Sequence, residues 1–126
     1  MHITLETDYA VRIVDLLAKS KDKPHLDAKS ISDKTGVSHR YALKILRKLV
    51  AGEIVQSYKG ARGGYKLLKK PRDISLYDVV EIMEGSYKFS RCLNKGYDCS
   101  CNCEYQQVFA EVTDLVTDKL KKHKFM

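Results

Sequence analysis

Residues 54–68, IVQSYKGARGGYKLL, restrict the fold of this chain more than any other stretch. Two short β-prone runs, Ile54–Tyr58 and Tyr65–Leu68, flank a tip of Lys59, Gly60, Ala61, Arg62, Gly63 and Gly64. Three glycines permit φ > 0 and a tight reversal without Cβ clashes. The tip carries no acid, so Arg62 stands as a basic finger on a stiff ribbon. Alone, such a hairpin is an ordinary surface turn with a solvated arginine. The residues before it change that reading.

They form the unit LDAKSISDKTGVSHRYALKILRKLVAGEIV. Asp27 or Ala28 opens a short helix with Ile31 facing inward, Gly36 supplies a turn, and Val37 plugs it. Ser38 is a good N-cap for a second helix, which packs through Ala42, Ile45, Leu46 and Leu49. That helix stops at Ala51–Gly52, where glycine suits a C-terminal cap. Two short helices joined by a glycine turn, the second one basic, predict a helix-turn-helix, and the hairpin makes it a winged helix.

The flanks complete the outline. Apolar residues at helical spacing (Tyr9, Ile13, Leu16, Leu17) predict a first helix over 5–20, followed by a polar loop at Lys21–Pro24. Ser75 and Asp78 read as a capping box opening a helix through Val79, Val80 and Met83 that ends near Gly85. A polar loop bearing cysteines covers Ser86–Cys103. A final helix over about 105–122 carries the stripe Tyr105, Val108, Phe109, Val112, Leu115, Val116 and Leu120. Folding back onto the parent domain would bury it, but so small a chain has little core left for it, and burial against a second copy is expected. The fold class is mainly α with a small β-hairpin: a winged helix-turn-helix plus a long C-terminal dimerisation helix. Residues 1–85 read as the DNA-binding domain, 86–104 as a cysteine-bearing sensor loop, and 105–126 as the dimerisation helix.

The net charge of +7 is concentrated in the middle of the chain. Residues 21–72 hold 14 Lys/Arg against 4 Asp/Glu, whereas the segments before and after carry −1 and −2. Such clustering favours a polyanion, since each neutralised phosphate releases a counterion. No apolar run approaches the ~18 residues of a membrane span, and the N-terminus lacks a hydrophobic signal core. A cytoplasmic protein is expected, with its cysteines as thiols or metal ligands rather than disulfides.

Ser38, His39, Arg40, Tyr41 and Lys44 occupy the first two turns of the second helix, where side chains meet base edges and phosphates in a major groove. Arg40 and Lys44 are candidates for guanine or phosphate, Tyr41 for sugar or a thymine methyl, and Ser38 for a phosphate or base edge. Arg62, next to Gly63, is the candidate for minor-groove insertion. Lys29, Arg47, Lys48, Lys59 and Lys66 suit phosphates.

Cys92, Cys99, Cys101 and Cys103 lie within twelve positions of a polar loop. Structural cysteines usually occur singly on apolar faces. Four together suggest a thiolate metal site, iron–sulfur or zinc, or a redox switch in which thiols pair. The spacing C-x6-C-x-C-x-C is neither a zinc ribbon nor a ferredoxin run. A thiol or metal enzyme, or an electron carrier, is disfavoured by the absence of C-x-x-C, of a nucleophile–base pair and of a cofactor-binding glycine motif.

Over nearly its whole length the chain resembles the IscR/NsrR group of bacterial winged-helix transcription regulators. The matching segments are ITLETDYAVRIVDLLA, TGVSHRYALKILRKLVAGEIV, the wing KGARGGYKL and the helix ISLYDVVEIMEG, followed by the cysteine loop and the final helix. The resemblance implies a non-enzymatic homodimer, crossed through its C-terminal helices, that binds a palindromic operator on double-stranded DNA, as a repressor. It also implies a [2Fe–2S] or [4Fe–4S] cluster, held by three loop cysteines, that senses redox, nitric oxide or iron status. The fourth ligand in that group is a histidine just after the third cysteine or an aspartate of the first helix. Here Gln106 stands in the histidine's region and Asp8 where the aspartate would be; Asp8 also reads as an acid favoured by the helix dipole. The group spaces its three cysteines more widely than CSCNC does, which places Cys92 and Cys103 as outer ligands and Cys99 or Cys101 between them. Some members carry no cluster and sense by thiol oxidation, so a regulator with zinc or bare thiols is the alternative.

Overall fold

A computed structural model describes residues 3–20, 25–85 and 104–126. Helix α1 spans Leu5–Lys19 and is capped by Thr4, whose Oγ1 accepts the Thr7 amide. Its buried face, Thr7, Ala10, Ile13, Val14, Leu17 and Ala18, recurs at three- and four-residue steps and forms one wall of the core. Helix α2 (Ala28–Thr35) starts at Asp27, which accepts the Ser30 amide at 2.7 Å. It ends at Gly36, whose φ of 77° is the left-handed geometry the turn requires. Val37 is buried beneath this turn, and α3 (His39–Ala51) begins at Ser38, which accepts the Tyr41 amide. Ala42, Ile45, Leu46 and Leu49 of α3 pack into a continuous core with Ile13, Val14 and Ile31.

Helix α3 stops at Ala51 with Gly52 as its C-cap, as expected, the Gly52 amide donating to Lys48 O at 2.9 Å. Gly52 has φ −82°, and the left-handed residue is Glu53, at φ 62°. Glycine serves a different need at 52: a Cβ there would stand 2.4 Å from Ile82 Cδ1, so its absence lets Ile82 close onto the end of α3.

The hairpin joins β1 (Val55–Tyr58) to β2 (Gly64–Leu67), antiparallel, with Val55 opposite Leu67 and Tyr58 opposite Gly64. The first strand begins one residue later than the expected run and ends with it at Tyr58, and the second is shifted one residue toward the tip. Leu26 adds a one-residue third rung, exchanging hydrogen bonds of 3.0 and 2.7 Å with Tyr65 and fastening the hairpin to the segment that leads into α2.

A 3-10 turn at Pro71–Asp73 leads to α4 (Leu76–Glu84), which opens with the expected reciprocal capping box of Ser75 and Asp78. Helix α5 covers Glu104–Lys122 and packs on α4. The chain then returns along residues 74–76: the Leu76 amide donates to His123 O at 2.8 Å and the Phe125 amide to Ile74 O at 3.2 Å. No residue of α5 is buried; Tyr105, Val108 and Leu115 are 61%, 51% and 70% exposed. No described helix is long and apolar enough to cross a membrane.

Candidate nucleic-acid interface

With its apolar side spent on the core, α3 presents His39, Arg40, Tyr41, Lys44 and Arg47 to the outside, along a shallow groove that also takes in Leu43. At about 100° per residue, Arg40, Lys44 and Arg47 fall within about 60° of one another around the helix axis. Ser38 uses its oxygen as the helix cap, which leaves its hydroxyl proton to donate outward. Tyr41 rests edge-on against Tyr9 of α1, with ring centroids 6.1 Å apart, so its rotamer is supported from behind.

Lys44, central on this face, leans toward α1. Its Nζ donates to Glu6 Oε1 at 2.6 Å, and Lys48 donates to Glu6 Oε2 at 3.2 Å. These bonds hold the Glu6 carboxyl below its ordinary range and raise Lys44 above its own, so both are charged at neutral pH. Arg40 and Arg47 have no such partner among the described residues.

At the wing, Arg62 is exposed at the tip and the Gly63 amide closes the turn onto Gly60 O at 2.9 Å. The Arg62 carbonyl accepts a hydrogen bond from His25 Nε2, and the His25 ring stacks on Tyr58 at 5.2 Å. Lys66 sits over the Tyr58 ring at 5.4 Å, while Lys59 and, on α2, Lys29 are exposed. The wing's basic tip is therefore braced on its backbone side and open on its side-chain side. His25 and Glu6 were not anticipated from the sequence; their partners lie 37 and 38 residues away, beyond the reach of local pattern.

Asp8 lies in the first turn of α1, half exposed, and pairs with Arg12 at 3.0 Å. Nearby, Glu84 at the end of α4 accepts the Thr7 hydroxyl at 2.7 Å and the Thr4 amide at 2.8 Å, which lowers its pKa and ties α4 to the start of α1. The expected ligands Cys92, Cys99, Cys101 and Cys103 lie outside the described residues. Among the described residues, no three His, Cys, Asp or Glu side chains converge on a metal-sized site.

A helix-turn-helix with a cationic outer face, followed by a braced basic wing, defines a DNA-binding transcription regulator of the winged-helix class. The family model for Rrf2, described as iron-dependent transcriptional regulators, matches residues 3–125, and the chain belongs to that family. Among its relatives, YwgB of Bacillus subtilis, provisionally named an HTH-type transcriptional regulator, is 32% identical over 110 residues, covering 85% of this chain and 70% of that protein. The HTH-type transcriptional regulator NsrR of Shouchella clausii is 27% identical over 95 residues, covering 75% and 64%. Of solved structures, IscR of T. potens superposes with a TM-score of 0.78 at 26% identity, covering 99% of this chain and 83% of that one. CymR, the global cysteine regulator of B. subtilis, shares the fold with a TM-score of 0.80 at 22% identity, covering 99% and 93%.

Proposed function

We propose that this protein is a dimeric repressor that binds a palindromic operator through α3 and the wing, its affinity set by the state of the cysteine loop. The observation that carries the reading is the outward face of α3, where Arg40 and Arg47 have no acidic partner among the described residues and stand beside Tyr41, with a braced Arg62 on the adjoining wing. Residues 1–85 read DNA, 86–104 sense, and 105–126 hold two copies together. Arg40, His39 and Tyr41 face base edges, with Ser38 and Lys44 at the same face. Lys29, Arg47 and Lys59 meet phosphates, and Arg62 beside Gly63 enters a minor groove. The exposed apolar side chains of α5 support pairing with a second copy, which would set two α3 helices about one turn of DNA apart.

Selection from a random duplex library, followed by titration of the recovered site, tests this reading. Arg40→Ala and Arg62→Ala should each weaken operator binding by about 1–3 kcal/mol, with less effect on unrelated duplex. Recovery of no sequence, or variants that bind the recovered site as wild type does, would refute it.

For sensing, the donor chemistry fits an iron centre: four thiols within twelve positions supply the soft ligands that iron–sulfur clusters take. Cys92 and Cys103, with Cys99 or Cys101, would hold a [4Fe–4S] or [2Fe–2S] cluster, and Asp8 would join them only by giving up Arg12. Such a cluster supplies a centre reactive to oxidants, nitric oxide and iron supply. Anaerobic assembly followed by absorption spectroscopy with iron and sulfide analysis tests it. A colourless, iron-free product would leave the same regulator sensing through zinc or bare thiols.

A further inference from the structure

Helix α3 carries four cations, Arg40, Lys44, Arg47 and Lys48, yet two of them already share one carboxylate within the chain. Glu6, in the first turn of α1, takes Lys44 on one carboxylate oxygen at 2.6 Å and Lys48 on the other at 3.2 Å. Its side chain is only 24% exposed, so it is an ordered part of the surface between α1 and α3. The pair of lysine contacts keeps it ionised at neutral pH. The other acid of that turn, Asp8, is turned to Arg12 and does not compete for the lysines.

We propose that Glu6 is a specificity-determining residue of the DNA interface: an internal counter-charge that cancels one of the two charges of Lys44 and Lys48 and leaves Arg40 and Arg47 as the uncompensated cations of α3. This inference rests on the DNA-binding reading above. Phosphate contacts strengthen binding to every sequence alike, whereas base contacts separate one sequence from another. One carboxylate cancels one of the two lysine charges, so the Glu6–Lys44–Lys48 group has a net +1 rather than +2 to exchange for counterions. Cancelling one charge lowers the sequence-independent share of affinity and leaves the base contacts of Arg40 and Tyr41 in place. The central position of Lys44 on the outward face makes this effect larger than a rim pair would give.

Glu6→Gln keeps the shape and an acceptor but removes the charge. Full-length wild type and E6Q would be titrated against a labelled mixed-sequence duplex of about 30 base pairs between about 50 and 200 mM salt. At roughly 0.9 counterions per phosphate, the one positive charge that E6Q uncovers should increase the loss of affinity across that range by about 3.5-fold. The Lys44→Met/Lys48→Met pair removes the residual single charge, so it should flatten the wild-type slope by about 1 and abolish the added slope in E6Q. An E6Q slope equal to wild type overturns the proposal, as does a steeper slope that survives in E6Q/K44M/K48M. If E6Q fails to fold, the K44M/K48M protein alone decides: a slope flattened by about 2 relative to wild type, the contribution of two uncancelled lysines, overturns it. A wild type that binds duplex without salt dependence defeats the DNA-binding reading itself, and this inference with it.

Discussion

Gly64→Ala should detach the wing from the body of the domain. A Cβ at this position would stand 2.5 Å from Leu26 O, 2.7 Å from its carbonyl carbon and 3.0 Å from the Asp27 amide nitrogen. All three neighbours are backbone, so no rotamer change can make room, and the Leu26 segment must move away from β2. Moving it breaks both hydrogen bonds between Leu26 and Tyr65. At about 1 kcal/mol for each bond, with a similar amount for disturbed packing of the buried Leu26, the loss is about 2–4 kcal/mol. For a chain of this size that corresponds to a fall in melting temperature of about 8–16 °C, at about 4 °C per kcal/mol. Thermal unfolding followed by circular dichroism reads it directly. Gly60→Ala is the control: it meets nothing within 4 Å and suffers only the strain of φ 104°, so it should lose about 1 kcal/mol. If Gly64→Ala melted no lower than Gly60→Ala, the third rung would not be what fastens the wing.

Three further outcomes are expected. Glu53→Gly relieves a left-handed non-glycine residue at φ 62° and should raise stability by about 0.5–1 kcal/mol in urea unfolding, the extra freedom of unfolded glycine cancelling part of the gain. Glu84 has its folded pKa lowered by the Thr7 hydroxyl, so its contribution is present above the ordinary value of 4.5 and lost as pH falls through the lowered value. Glu84→Gln should therefore flatten the stability–pH curve on the acid side and leave its slope near neutrality unchanged. Leu115→Glu places a charge on the exposed apolar side of α5 and should convert a dimer to a monomer in light scattering, with little change in the melting of the winged domain.

Features settled within one helical turn or one hairpin were readable before any coordinates. Asp27, Ser38 and the Ser75–Asp78 box cap as expected because a cap needs only its own chain three residues on. The turn at Gly36 and the inward faces of α1 and α3 follow from steric freedom and periodicity alone. What escaped were contacts made by the tertiary fold: Leu26 pairing with β2, Glu6 crossing to α3, His25 bracing the wing. The close approach of Ile82 that requires glycine at 52 has the same origin, since Ile82 lies on another helix. For the candidate interface, the exposed residues of α3 and the wing were legible as types and positions. Which of the cations is already spent was not, because a charge pair between distant segments leaves no mark on either one.

The return of residues 123–125 along 74–76 gives α4 and α5 the mechanics of tongs. The two helices share a main-chain joint at one end, and from it α4 runs nine residues while α5 runs nineteen. The short arm is clamped at its far end, where Glu84 grips Thr4 and Thr7 of α1. The long arm is about 28 Å in length at 1.5 Å per residue. A swing of about 10° would carry its Glu104 end about 5 Å without breaking a hydrogen bond at the pivot. Small changes of angle at the handle become large displacements at the tip, and the tip is where the cysteine segment joins.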